Sequence, residues 1–188
     1  MFSIGIGRRS LWPVALLVIV LFCSVGVNAQ DVANGQATAT VLAVLTVVSS
    51  HDLDFGDVLQ GVATVADKTV DAEAGVFEVT GEAGKEVAVH LQLPDYIALA
   101  DGSDRMVISF SSTDADVDFT AAAAPSAHTG GAVVDQNPHN LGSININNAV
   151  APDNNFKVFL GGTVFPTVDQ AAGAYSGDII MTAAYTGS

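Results

Sequence analysis

The side chains in this chain able to do acid–base or metal chemistry are mostly carboxylates, because it has 20 Asp and Glu against 4 His and 1 Cys. His51, His90, His128 and His139 fall in separate segments, and none has the paired spacing by which a helix presents two imidazoles to zinc. No serine sits in a G-x-S-x-G elbow, and Gly161-Gly162 lacks the following Lys-Ser/Thr of a phosphate loop. Two groups of acids stand out. Asp114, Asp116 and Asp118 alternate, and Asp52, Asp54 and Asp57 surround Phe55-Gly56. Alternating aspartates on a strand project to one side, where a hard cation such as calcium relieves their repulsion. The EF-hand pattern is not met, since the turn glycine and the distal acid are missing, and solvated acids on an acidic surface are the simpler expectation. With 20 acids to choose from, any two can be paired as a glycosidase dyad, so pairing in sequence has little weight. The expectation is a protein that is not an enzyme, with no catalytic residues, no cofactor and no metal.

The elements that would position these residues read as strands. No stretch sustains apolar residues at helical spacing, whereas short β-branched runs punctuated by Gly, Asp and Asn recur throughout. Strands are predicted at residues 37–48, 58–65, 76–80, 86–93, 105–112, 117–121, 143–147, 156–160, 163–165 and 178–185. Val87, Val89, Leu91 and Leu93 share one face, with Ala88, His90 and Gln92 on the other, so one face is buried and one is wet. Phe77 with Val79, and Phe110 with Ile108, alternate as core residues, and the phenylalanines generally read as packing. Turn chemistry at 81–84, 101–103 and 173–177 fits antiparallel connections. Residues 121–140, with consecutive alanines, two prolines and Gly130-Gly131, read as a long surface loop or sheet-edge excursion. Many short strands predict an all-β, antiparallel, immunoglobulin-like sandwich in one domain over residues 30–188.

The first 29 residues differ from the rest. Arg8 and Arg9 precede an apolar run over residues 11–27, and the small-residue site Val27-Asn28-Ala29 stands before Gln30. This is the pattern of a signal peptide cleaved between Ala29 and Gln30; the alternative is an uncleaved membrane anchor, for which the run is short. Cleavage removes Cys23 and Trp12 together with both N-terminal arginines. The mature chain then has no thiol chemistry and no disulfide, and is more acidic than the precursor, whose formal charge is −14 and pI about 4.1. Such a charge repels nucleic acid and anionic membranes, since phosphate contacts need clustered Lys and Arg. With 49% hydrophobic and 14% charged residues, the chain has enough apolar surface to fold. The expected location is outside the cytoplasm: periplasm, cell surface or medium.

Three segments carry a resemblance: Leu53-Asp54-Phe55-Gly56-Asp57-Val58, Phe77-Glu78-Val79-Thr80-Gly81-Glu82-Ala83-Gly84 and Gln170-Ala171-Ala172-Gly173-Ala174-Tyr175-Ser176-Gly177. With the run over residues 158–165, their order and spacing resemble the family called domain of unknown function 4402, found in secreted bacterial proteins. The early L-x-F-G and late A-G-x-Y-S also resemble pilin-type subunits of the chaperone-usher class and the spore coat U-like group. That resemblance implies an incomplete immunoglobulin-like sandwich whose missing strand comes from the N-terminal segment of a neighbouring subunit. It further implies a periplasmic chaperone and an usher as partners. An alternating donor satisfies both an apolar groove and its unpaired backbone groups. The donor candidates are Ala37, Ala39, Val41, Ala43, Leu45 and Val47, and the acceptor-edge candidates are Ile179, Met181, Ala183 and Tyr185. An ordinary first strand in a self-complete sandwich is the alternative for residues 37–48.

Two functions fit these readings. The first is a non-enzymatic fimbrial or surface subunit, forming a homo-oligomer or fibre by strand donation and serving structure or cell adhesion, with no membrane or nucleic-acid partner in its mature form. The second is a secreted monomeric sandwich that binds a glycan or acts with calcium through loops at residues 101–104 and 121–140.

Overall fold

Strand formation follows the alternating pattern wherever both neighbours of a strand can be supplied. In the computed structural model, which describes residues 33–119, 124–127, 133–146 and 154–187, every regular element is a strand. The strands are β1 (Thr46–His51), β2 (Thr64–Ala66), β3 (Gly75–Thr80), β4 (Glu86–Gln92), β5 (Tyr96–Leu99), β6 (Arg105–Ser109), β7 (Ala115–Asp118), β8 (Val133–Gln136), β9 (Ser143–Asn145), β10 (Asn155–Leu160), β11 (Gly162–Phe165), β12 (Tyr175–Ser176) and β13 (Ile180–Tyr185). They pair antiparallel in three sheets ordered β1-β3-β10-β7-β8, β12-β5-β6-β11-β2 and β13-β4-β9. The class is all-β, as the sequence pattern predicts, and the layering is that of a sandwich.

The core lies between the first sheet and the other two. Phe77 and Val79 of β3, Val117 of β7, and Phe156, Val158 and Leu160 of β10 meet Val87, Val89 and Leu91 of β4, Met106 and Ile108 of β6, Val164 of β11 and Met181 of β13 in one buried cluster. On β4 the alternation is as read from sequence: Val87, Val89 and Leu91 are buried while Ala88, His90 and Gln92 are exposed. Phe165 departs from the expectation that phenylalanines are core. It is 45% exposed on the outer side of β11, in register with Val107, which is in register with Tyr96.

Several boundaries move, each for a physical reason. The strand expected over residues 37–48 is confined to Thr46–His51, an outer strand paired to β3 with a bulge between Ser49 and His51. Residues 33–45 have no regular structure, because side chains of Ala and Thr bury too little surface to hold a strand without a paired backbone. The strand expected over residues 58–65 begins only at Thr64, since Gly61 takes φ +71° and Val62 N–H turns back to Leu59 O at 3.1 Å. Three short strands go beyond the sequence pattern: β5 just after Pro94, β8 inside the region read as a loop or edge excursion, and β12 within the turn chemistry at 173–177. His128 and the cleavage pair Ala29 and Gln30 lie outside the described residues. Residues 41–188 form one compact unit, distinct from the segment that precedes it.

Candidate functional site

The site is a groove where the two layers fail to close. β1 is paired only to β3, and β13 only to β4, so each is an outer strand of its sheet. Between them lies an open groove of about 1470 Å³. One wall is residues 49–58 and the other is residues 170–180, with Phe77, Ile97, Met106, Ile108 and Val164 beneath. Four of those five belong to the buried core, so the groove reaches down to side chains of the sandwich interior, which themselves stay covered.

The first wall is built by the L-x-F-G segment. Leu53 and Phe55 lean onto the core while Asp52, Asp54 and Asp57 stay exposed. The segment alternates like a strand but is not paired as one. Its shape is fixed locally, with Asp54 N–H donating to Glu73 O at 2.9 Å and Gly56 N–H donating to Asp54 Oδ1 at 2.8 Å. The three aspartates, with Asp178 opposite, make an acidic rim without a cation among the groove-lining residues.

The second wall is held by a polar latch. Asp104 Oδ2 accepts from the Tyr175 hydroxyl at 2.7 Å, Gln170 Nε2 at 2.7 Å and Ala171 N–H at 2.8 Å, and Arg105 N–H donates to Oδ1 at 2.8 Å. Gln170, 4% exposed, also receives Gln60 Nε2 on its carbonyl. The Ala171 amide, the Tyr175 hydroxyl and the Arg105 amide favour the charged carboxylate and hold Asp104 below the ordinary Asp value.

At the far end of β13 the seam is closed. The Tyr185 hydroxyl donates to Ala43 O at 3.0 Å and accepts Glu82 N–H at 2.6 Å, while Ala43 N–H donates to Glu82 Oε2 at 3.1 Å. Leu45 packs on the core beneath. A Cβ on Gly81 would stand 2.6 Å from the Tyr185 hydroxyl and 2.8 Å from both Ile146 Cδ1 and Leu45 Cδ1, so any side chain here would push those three side-chain ends aside.

The donor and acceptor candidates separate clearly. Ala37 and Ala39 are exposed and outside any strand. Val41 is 93% exposed and its neighbour Val44 81%. Ala43 and Leu45 are anchored at the closed end, and Val47 lies in β1 opposite Val79. The expectation of one regular strand over residues 37–48 is therefore corrected in its bounds: residues 33–45 carry no strand, and the regular strand begins at Thr46. Among acceptor candidates, Met181 is buried and Ile179, Ala183 and Tyr185 pack partly against the core, while Ile179 also lines the groove. Sequence reasoning assigned no role to Glu82, Asp104 and Gln170, whose ties to Tyr185, to Tyr175 and to Asp104 respectively span 66 residues or more. The A-G-x-Y-S motif contained the one available signal, Tyr175.

The alternating acids weighed for calcium, Asp114, Asp116 and Asp118, have partners within the chain. Asp114 accepts from Ser111 N–H and Oγ in a turn. Asp116 and Asp118 are 1% and 0% exposed and are not the solvated surface acids expected: Asp116 binds Lys68, and Asp118 stands opposite Lys157 in the β7–β10 register. Asp101 accepts from Ser103 N–H and Oγ. His51 Nδ1 donates to Ala74 O at 2.8 Å, His139 Nε2 lies 3.2 Å from Phe110 O, and His90 faces solvent. A scan against models of known protein families finds no match, and a search of curated proteins finds none.

Proposed function

We propose that this chain is an exported structural subunit of a surface fibre or layer, joined to its neighbour when the N-terminal arm of one copy lies in the groove of the next. The observation that carries the reading is the groove between β1 and β13, whose floor is core side chains and whose walls end in outer strands. An inserted strand there gains apolar burial and backbone pairing together. The arm suits the site electrostatically. Residues 32–50 contain no charged side chain, so the arm meets the acidic rim without the repulsion that separates two strongly acidic bodies. In this reading the chain belongs with the domain of unknown function 4402 and pilin-like proteins it resembles. Residues 1–29 direct export, and a chaperone and usher guard and place the subunit; the role is structural or adhesive and not enzymatic.

The test is biochemical. The mature protein forms oligomers that withstand heat, a variant lacking residues 30–42 is monomeric, and a synthetic peptide of residues 33–45 binds that variant. A wild-type protein that stays monomeric, with no peptide binding to the shortened form, overturns the reading.

A second reading, a monomeric binding module, has one observation of its own: the row Tyr96–Val107–Phe165 across the outer side of β5, β6 and β11, each residue more than 40% exposed. Arg105 lies over the Tyr96 ring at 4.5 Å. Aromatic rings on a rigid sheet can stack on sugars, and glycan-array binding by the monomer, lost in Tyr96→Ala, favours that reading.

A further inference from the structure

Outside the groove-lining residues, the turn after β2 places Lys68 over the outer side of the first sheet. The turn is pinned by Asp67 Oδ1, which accepts Thr69 N–H and Oγ at 2.8 Å each, and by Glu73 Oε2, which accepts Asp67 N–H at 2.8 Å. The Lys68 side chain is 14% exposed and the Asp116 side chain 2%. Lys68 Nζ lies 2.7 Å from Asp116 Oδ1, 2.7 Å from Asp135 Oδ1 and 2.6 Å from Thr113 O. Asp116 stands in register with Phe159, and Phe159 with Val76 forms a small apolar cluster on this side of the sheet. Asp135 is the only non-glycine residue with positive φ, +56°, among the described residues. Its N–H donates to Asp116 Oδ1 at 2.7 Å.

An amine held against a buried carboxyl, with a second carboxylate on the amine and a backbone N–H on the carboxyl oxygen, is an arrangement for condensation. We infer that Lys68 and Asp116 join in an intramolecular isopeptide bond, with Asp135 as the catalytic acid–base. Asp135 passes one proton from the Lys68 ammonium to the Asp116 carboxyl, the neutral amine adds to Cγ of that protonated carboxyl, and the Asp135 N–H steadies the charge on Oδ1. Asp135 then relays a second proton from Nζ to the hydroxyl on Cγ, which leaves as water while the carbonyl re-forms and the Nζ–Cγ amide bond remains. An ammonium and a carboxylate thus become one amide and one water, with no oxidant or other reactant. Burial lowers the Lys68 pKa, but hydrogen bonds to Asp116 and Asp135 outweigh it and raise the net value. The neutral amine is consequently scarce, and the bond forms slowly, once, in the folded chain.

The benefit is a covalent tie between the β2–β3 turn and β7. With its single Cys, the chain cannot form an internal disulfide, and closing a long loop by a cross-link restricts the unfolded chain in the same way. The inference does not rest on strand exchange, because a monomer would contain the bond equally.

Intact-mass measurement of the purified protein, followed by peptide mapping, decides it. The expected mass is one water below that of the processed sequence, with a branched peptide joining Lys68 to Asp116. Lys68→Arg, which keeps the ion pair but forms no such amide, has its full sequence mass, and Asp135→Asn condenses far more slowly. A wild-type protein that retains the full mass after prolonged incubation and yields no branched peptide overturns the inference, whether or not the variants fold.

Discussion

The two ends of the seam between β1 and β13 use the same outer strands and arrive at opposite states. At the Tyr185 end a phenol, a carboxylate and a glycine draw the root of the arm down onto the core. At the Ile180 end the walls stay apart, and the groove between them reaches down to Ile108, Met106 and Phe77 of the core. Closure of a sandwich edge is therefore not a consequence of apolar pattern alone, because both ends have one. It takes directed hydrogen bonds that hold chain against chain, and the open end uses its polar groups to fix its two walls separately.

The largest test of that contrast is Phe77→Ala. Phe77 is 6% exposed, belongs to the main cluster and also lines the groove. If the open end is truly backed by the sandwich core, truncation costs about 3–5 kcal/mol, the range for a buried phenylalanine, measured by urea unfolding. A cost near that of a surface residue would mean the groove floor is separate from the core. Next in size is Gly81→Ala at the closed end. The added methyl meets the Tyr185 hydroxyl, Ile146 and Leu45 below 3.0 Å, an overpacking expected to cost about 1–3 kcal/mol. Hydrogen exchange should then rise at Ala43 and Leu45 and stay unchanged at residues 171–177.

Smaller still is Tyr185→Phe, which keeps the ring on the core but removes the hydroxyl between Ala43 O and Glu82 N–H. A loss of about 0.5–1.5 kcal/mol is expected, the net value of a typical hydrogen bond. In the strand-donation reading, the same variant frees the arm root and speeds peptide exchange. An unchanged exchange rate would show that Leu45 alone anchors the arm.

Much of the sandwich is legible in the sequence because local pattern and burial agree. β3, β4, β6, β10 and β13 each contain alternating apolar residues that the structure places inward, and Met181, Ala183 and Tyr185 keep the expected face. The edges are less legible. β8 and β12 are short strands whose existence depends on a neighbour, β7 or β5, and not on their own sequence. The arm's alternation suggests a strand, but Ala37, Ala39 and Val41 have no paired backbone among the described residues, so periodicity has nothing to act on. Asp116 and Asp118 are hardest to read. As a pair of alternating acids they suggest solvent or a cation, whereas the cation that binds Asp116 is Lys68, supplied by a turn on another sheet.

The least disruptive test separates the walls of the open end by pH. Asp104 is held below its ordinary value by the Ala171 amide, the Tyr175 hydroxyl and the Arg105 amide. A carboxylate whose folded pKa is depressed stabilises the fold fully above its unfolded pKa, near 3.9, and loses that contribution as pH falls through the lower folded value. Acidification into that window should therefore loosen residues 170–177, seen as a shifted Tyr175 ring resonance and, after return to neutral pH, as greater exchange recorded at Ala171 N–H during the acid step. The opposite wall is fixed by Asp54 and its backbone contacts, and the closed end by Tyr185. If Asp104→Asn abolishes the acid response of residues 170–177 and Ala43 and Leu45 are unchanged in both proteins, the latch acts on one wall only; an undiminished response in that variant would place the titrating group elsewhere on the rim.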